Sequence, residues 1–460
     1  MVVKKDSLRI KELKHKARRL NIKEGIFAAA KTSFGDYYIP PFAIALNASS
    51  SLVAMLSSIS GLLGSLTQVF SSRLIENFSR KKIILKSVFF EALMWLPLIL
   101  IAFLFYNEVL VDFLPLFLLL SFSLYIILAN IGTPALFSWM GDIIDEEYRG
   151  RWFSKRNLIT GFVSIVLAIF ASFFLNYFEK KNIVIIGFAI LFFLAFVSRM
   201  TCWKIFKKQY EPKLNLKKGY HFSFWDFLIN APKTNFGRFA IFRFFLNFAV
   251  NISSPLIAVY LLRNLNFDYF LYIVVILSSS LYSLVFLGMW GKFADMCGNY
   301  KILGITSLLI PIIPILWIIS PSPIYLILVP ALVGGVSWAG FNLAAGNFIY
   351  DNVTKPKRGL AVSYYNMLNG IGIFLGAGLG ALLIKIINVS FIEPILLIFF
   401  IGGIMRMIVV FFGLLKFKEI RKFKKFKSNE SFKTIFFKQA KPTLLEEVQE
   451  IISIKEYLRE

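Results

Sequence analysis

The chain has 460 residues, 57% of them hydrophobic, with a mean hydropathy of +0.70 and a formal net charge of +25. Water-soluble chains carry roughly 45–50% apolar residues, and here the excess is gathered into long blocks, which excludes a soluble globular fold. Two cysteines and two histidines exclude a disulfide framework and a metal cage built on those residues.

The first stretch, MVVKKDSLRIKELKHKARRL, is too charged and too long for a signal peptide and has no cleavage pattern after an apolar core. The first apolar block is therefore expected to stay. Blocks of spanning length predict twelve helices, at 24–46, 50–71, 83–106, 113–139, 153–178, 183–203, 237–262, 270–291, 302–320, 323–349, 360–386 and 392–416. Only helices or closed barrels satisfy backbone polar groups in lipid, and blocks this long exclude barrel strands. The expected fold class is an all-α integral membrane protein. Its parts are a basic N-terminal segment 1–23, a six-helix half 24–203, a linker 204–236, a second half 237–416 and a basic tail 417–460.

Lys and Arg crowd the N-terminal segment, RKKIILK, RGRWFSKR, the linker, KPKR and KFKEIRKFKKFK, whereas the other connections carry only Lys180, Lys181, Arg263 and Lys385. That alternation predicts both termini in the cytoplasm and a multi-pass protein of the cytoplasmic membrane. The charge then reads as a topology signal and an attraction for anionic lipids, not as a nucleic-acid surface, because no basic module with stacking aromatics accompanies it. The Lys/Phe-rich tail from Lys416 to Lys438 is expected to lie on the membrane surface. Thr443 and Glu446 form a capping box ahead of a short terminal helix.

Two internal matches divide the chain. Arg149, Gly150, Asn157 and Gly161 recur as Arg358, Gly359, Asn366 and Gly370, offset by 358 − 149 = 209 positions, and Asp142 matches Asp351 at the same offset. SRLIENFSRKKIIL matches GKFADMCGNYKILG at 301 − 82 = 219, with Glu76 over Asp295 and Lys82 over Lys301, while Pro41 lies over Pro255. The pattern is that of two related six-helix halves, an arrangement that in transporters holds the substrate site between the halves near mid-membrane.

GKFADMCGNYK, with Gly291, Asp295, Gly298 and Lys301, resembles the signature loop of the major facilitator superfamily. The first-half counterpart departs from it at Ser72, Glu76 and Ser79 but keeps the basic end in Arg80, Lys81 and Lys82. The resemblance covers essentially the whole chain. It implies a monomeric secondary transporter, not an enzyme and without cofactors or metal, whose halves rock to expose a small solute alternately to either side, with protons as a candidate coupled ion. Alternatives are a drug or lipid exporter of the same fold and a non-transporting scaffold or sensor. The glycine-rich motif that marks many drug exporters is missing from the fifth helix, which weakens the first alternative.

By the same resemblance, Glu76, Arg80, Asp142, Arg149, Asp295, Lys301, Asp351 and Arg358 are candidates for a cytoplasmic gate, acids meeting helix starts and neighbouring arginines. Ionisable groups inside hydrocarbon are costly, which singles out Asp36 as the candidate proton-coupling acid, with Glu91 second. Lys31 lies five residues before Asp36, about 140° round a helix, and is expected to be a poor partner for it. Arg199, Arg243 and Arg406 are expected to snorkel to the surface. Lys31, Tyr37, Tyr38, Asn130, Trp139, Asn247, Asn251, Asn342, Asn347, Asn366 and Asn369 are the candidate lining of a substrate cavity. The run GIGIFLGAGLGALL, residues 370–383, offers small residues for close helix packing. His221 and Asp226 in HFSFWD have acyltransferase-like spacing, but the surrounding aromatics read better as an interfacial anchor.

Overall fold

The computed structural model describes residues 2–72, 74–144, 149–212, 223–353, 358–387 and 393–419. All regular structure among them is helical. The long helices are α1 (Val2–Phe34), α2 (Ser50–Ser72), α3 (Arg80–Tyr106), α4 (Val111–Ile143), α5 (Arg149–Lys180) and α6 (Val184–Lys208). They are followed by α7 (Asn235–Asn264), α8 (Tyr269–Cys297), α9 (Asn299–Ile319), α10 (Pro323–Ile349), α11 (Arg358–Ile386) and α12 (Pro394–Gly413). Eleven spans, those on α2 to α12, are long and apolar enough to cross a membrane. The segment expected at 24–46 is helical but broken and charged, and so falls outside that set.

Large apolar side chains face outward along these spans, among them Leu120, Phe170, Phe173, Phe193 and Phe411. Soluble monomers rarely expose contiguous patches of this kind; lipid is the solvent that accepts them. The chain is a multi-pass membrane protein.

The described chain forms two compact units. The described residues of unit 1 fall within 1–219 and 261–270, and those of unit 2 within 220–260 and 271–460. Segment 261–270 belongs to unit 1 through Asp268, which accepts from Asn176 at 2.8 Å, and Phe270, which stacks on Phe173. In unit 1, α1 packs on α5 and α6, α6 on α3, and α2 on α4; in unit 2, α7 packs on α11 and α12, and α9 on α10.

The glycine run of α11 does what its small residues suggest. A Cβ at Gly372 would lie 2.5 Å from the Phe244 carbonyl oxygen, and at Gly376 and Gly380 it would overlap the carbonyls of Phe248 and Ile252. Only glycine lets α11 and α7 approach this closely. Gly376→Leu is expected to cost about 3 kcal/mol or more, the upper end for overpacking, because backbone rather than a movable side chain is in the way. A lowered thermal midpoint in detergent checks it, with Gly141→Leu, where a Cβ meets nothing within 4 Å, as the control.

Both first helices of the units break near proline. Pro40 and Pro41 lack the N–H that would bond to the carbonyls of Asp36 and Tyr37, and residues Asp36–Tyr38 form a 3-10 turn between α1 and Ile39–Ala45. Pro255 lies in the corresponding 3-10 turn Ser254–Leu256. Gly35 is required at the first break because a Cβ there would overlap the Trp95 ring.

In the linker, Phe224–Asn230 is a capped helix in which Ser223 Oγ accepts from the Asp226 N–H while Asp226 accepts from the Ser223 N–H and hydroxyl. Those bonds, the backbone one foremost, hold the Asp226 carboxyl below its usual range. The cap's contribution is present above that range and fades as pH falls through the lowered value. Asp226 is thus an N-terminal cap; His221 lies outside the described residues, as do Thr443 and Glu446. Of the tail, only the first residues are described, and Phe417 departs from the expected surface placement. Tail residues 417–419 fold back onto unit 2. Phe417 is fully buried against Phe239, Phe242, Tyr300 and Phe348, because its apolar ring finds a better solvent in the unit than at an interface.

Candidate functional site

Three acids and three bases are buried together in unit 1 and alternate in sign. Arg156 Nη2 lies 3.3 Å from Glu24 Oε2, and Arg199 Nη1 lies 3.8 Å from Glu24 Oε1. Arg199 also donates to Glu91 Oε2 through Nε at 2.9 Å and Nη2 at 2.5 Å. Lys31 Nζ stands between two acids, 3.5 Å from Glu91 Oε1 and 2.8 Å from Asp36 Oδ2. Tyr125 closes the end: its hydroxyl donates to Asp36 Oδ1 at 2.6 Å and accepts from Lys31 at 2.9 Å, and Thr32 donates to Asp36 Oδ2 at 2.9 Å. The formal charges cancel, which is the condition for keeping so many ions out of water.

The pairing of Lys31 with Asp36 corrects the helical-wheel expectation. The wheel assumes an unbroken helix, but α1 ends at Phe34 and Asp36 sits in the 3-10 turn, which rotates its side chain back toward Lys31. Arg199 likewise does not snorkel; two acids hold it inside. Glu91, the second candidate acid, is paired with Arg199. Glu24, Arg156, Thr32 and Tyr125 were not singled out in the sequence. Only the charge of Glu24 inside an otherwise apolar block could have drawn notice to it.

Exposure is uneven along this chain of charges. Asp36 keeps 30% of its side chain accessible, whereas Glu91 and Glu24 keep 1% and 3%. Asp36 at one end is the most accessible member, Arg156 at the other end keeps 21%, and the two glutamates between them are sealed. Beside Asp36, Tyr37 receives a long contact from Ser164 at 3.5 Å. Tyr38 is fully buried and donates to the Ala168 carbonyl at 2.7 Å, so it ties the helix break to α5 rather than facing a solute.

Other expected cavity residues serve packing. Trp139 is buried in an apolar cluster with Ile84 and Phe206 and donates to the Tyr210 carbonyl at 2.9 Å. Its indole is thus consumed by the fold. Asn130 accepts from Gln68 at 2.8 Å, joining α4 to α2. Asn251 donates to the carbonyl of Asn247 one turn earlier. In unit 2, Asn342 accepts from Arg243 at 3.3 Å, and Arg243 lies over the rings of Phe341 and Trp338, so this arginine too is retained inside. Asn369, buried with its carbonyl oxygen unpartnered, hydrogen-bonds Tyr365; Asn366 is half-buried.

The expected gate residues split. The side chains of Glu76, Arg149, Asp295 and Arg358 lie outside the described residues. Arg80 is fully buried and braces its own unit, donating to Asp142 at 2.6 Å, to the Ser138 carbonyl and hydroxyl at 3.1 Å and to the Pro212 carbonyl at 2.8 Å. The repeat reproduces this corner. Asn299, 219 positions after Arg80, donates to Asp351 at 2.8 Å and accepts from Asn347 at 3.2 Å. The next N–H in each half, Lys81 and Tyr300, donates to the acid that follows the last helix, Glu211 at 3.2 Å and Glu419 at 2.9 Å. Lys301 is exposed.

A cavity of about 180 Å³ lies within unit 2, lined by residues of α7, α8, α9, α10 and α12, with Arg406 in its wall. Among the described residues no cluster of His, Cys, Asp and Glu has the arrangement of a metal site.

The family model described as Major Facilitator Superfamily matches residues 26–237 and 239–454. Solved structures with the same fold include a mutant of the nucleoside transporter NupG, 13% identical over 88% of this chain and 100% of that one, with a TM-score of 0.63. A bacterial homologue of the iron transporter ferroportin in its inward-facing state is 14% identical over 88% and 99%, with a TM-score of 0.62. Its outward-facing state gives 12%, 87% and 99%, and a TM-score of 0.57. No curated protein sequence matches the chain.

Proposed function

The chain belongs to the major facilitator superfamily, and we propose that it is a secondary transporter that moves a small solute across the cytoplasmic membrane by alternating access, with the Lys31–Asp36–Glu91 cluster coupling transport to protons. The likeness to transporters of nucleosides and of iron supports transport and leaves the substrate to experiment.

The observation that carries the coupling is the position of one ammonium between two carboxylates. Lys31 Nζ is 2.8 Å from the partly accessible Asp36 and 3.5 Å from the sealed Glu91. Protonating Asp36 removes the charge that draws Lys31 toward the turn, and the ammonium shifts its weight to Glu91. Deprotonation reverses the move. Because Asp36 sits in the broken part of the first helix, a change in its pairing acts directly on the segment that connects α1 to Ile39–Ala45.

In proteoliposomes, Asp36→Asn is expected to abolish uphill accumulation driven by a pH gradient while exchange of solute down its own gradient persists. If the variant accumulates solute with the pH dependence of the parent protein, the coupling role is lost. The orientation is tested separately: cysteines placed at Lys418 and at Lys23 are expected to react with a membrane-impermeant thiol reagent only from the cytoplasmic side.

A further inference from the structure

Arg406 is the second buried arginine of the cavity-bearing unit and lacks what its counterpart has. It lies 406 − 199 = 207 positions after Arg199, within one residue of the offset that relates Glu211 to Glu419, on the last helix of its unit as Arg199 is on the last helix of the other. In unit 1, Arg199 meets the carboxylate of Glu91. The position that corresponds to Glu91, 219 further on, is Ile310, and the one that corresponds to Asp36, at the 214 relating Pro41 to Pro255, is Val250.

Arg406 reaches both of those places and finds only carbonyls there, with two serine hydroxyls beside the first. Its Nη2 donates to the Val250 carbonyl at 3.0 Å, with the Ser253 and Ser254 hydroxyls at 2.9 and 3.3 Å; its Nη1 is 3.5 Å from the Ile310 carbonyl; its Nε has no partner. The side chain is 3% exposed, and no acid pairs with it among the described residues. It stands twelve residues into α12, about 18 Å along the axis, near the middle of a hydrocarbon core. Neutral dipoles do not cancel a charge there; buried ions are ordinarily paired.

The cavity supplies room for the missing partner. Trp317, Trp338, Phe399 and Ile313 give it an apolar wall, and Ser254 and Ser279 add hydroxyls to the lining, that of Ser254 3.3 Å from the guanidinium. Its volume of about 180 Å³ is slightly above the roughly 150 Å³ of a cavity known to hold benzene. Phosphate or sulfate would fill the charged end and leave the aromatic wall in contact with nothing. We propose that this cavity binds an organic monocarboxylate with a compact apolar body, the carboxylate taking in unit 2 the place that Glu91 holds in unit 1. The carboxylate is either that of a free organic acid or the head of a fatty acid drawn from the bilayer, and the site is independent of the Asp36 cluster.

The test is equilibrium binding of benzoate, with benzyl alcohol as its neutral analogue, to the full chain purified in a non-ionic detergent. Benzoate is expected to bind at least tenfold more tightly than the alcohol. Arg406→Gln should remove that preference. Because Arg406 also braces the break in α7, the variant can fail to fold, so Ala331→Leu, which takes up cavity volume from α10 and leaves Arg406 in place, serves as the second variant; it should weaken benzoate at least tenfold. Competition by decanoate at lower concentration than benzoate assigns the site to a membrane fatty acid, and preference for benzoate assigns it to a free acid. Equal binding of acid and alcohol, undiminished binding in Ala331→Leu, or no binding of benzoate or decanoate to the folded protein overturns the proposal. None of these outcomes bears on proton coupling, which is read from Asp36→Asn.

Discussion

Arg199→Met is expected to lower stability by about 3–5 kcal/mol, the range for deleting one partner of a buried ion pair. The size follows from what is left behind. Glu91 and Glu24 are 1% and 3% exposed, and without Arg199 their nearest cations are Lys31 at 3.5 Å, already shared with Asp36, and Arg156 at 3.3 Å. Both acids are sealed from water in the folded unit. Glu91→Gln should cost less, because Arg199 keeps Glu24 and Lys31 keeps Asp36. Combining Arg199→Met with Glu91→Met should recover much of the loss, since removing both charges of a pair replaces desolvated ions by packed side chains. The thermal midpoint of each variant in detergent measures this series, with exposed Lys385→Met as the reference. An Arg199→Met no worse than Lys385→Met, or a double variant worse than the sum of the singles, would show that the charge chain does not behave as a neutralised unit.

The membrane class, the duplication and the family were legible in the sequence because they rest on periodicity, length and local motifs. Asp36 also stood out, since one acid in an apolar block is visible without a structure. Its partners were not. Lys31 was misplaced by a helical wheel that assumes an unbroken helix across Gly35, and Arg199, 163 positions beyond Asp36, joins the cluster only because α6 packs beside α1 and α3. Trp139 and Tyr38 show the opposite error. An aromatic with a polar tip reads as a solute contact in one dimension, yet both tips are spent on backbone carbonyls, those of Tyr210 and Ala168. Arg80 and Asp142 read as members of a gate because their motif is known for that place, whereas within unit 1 they form a brace whose counterpart in unit 2 has Asn299 for Arg80. The two offsets that align the sequence halves also align these hydrogen bonds, so the duplication carries geometry as well as residues. It is the failure of that correspondence at Glu91 and Ile310 that leaves Arg406 without an acid.

Phe417→Ala is expected to cost about 3–5 kcal/mol, as for truncating a buried phenylalanine, although it lies in a basic segment whose composition suits a membrane surface. Its ring is 0% exposed and meets Phe239, Phe242, Tyr300 and Phe348 with centroids 5.4–5.5 Å apart. The backbone on either side is fixed as well: Lys418 exchanges hydrogen bonds with the Asn235 side chain, and Glu419 accepts from the N–H of Tyr300 at the start of α9. The ring therefore fastens the start of α7 and the start of α9 to the end of α12. Phe411, six residues earlier and 67% exposed, faces lipid, where alanine is nearly as well solvated, so Phe411→Ala should change little. Unfolding midpoints of the two variants in detergent decide between a plug and a surface anchor. Equal, small effects would mean that the tail contributes through the bilayer alone, while a loss confined to Phe417→Ala would place the first residues of the tail inside the fold of unit 2.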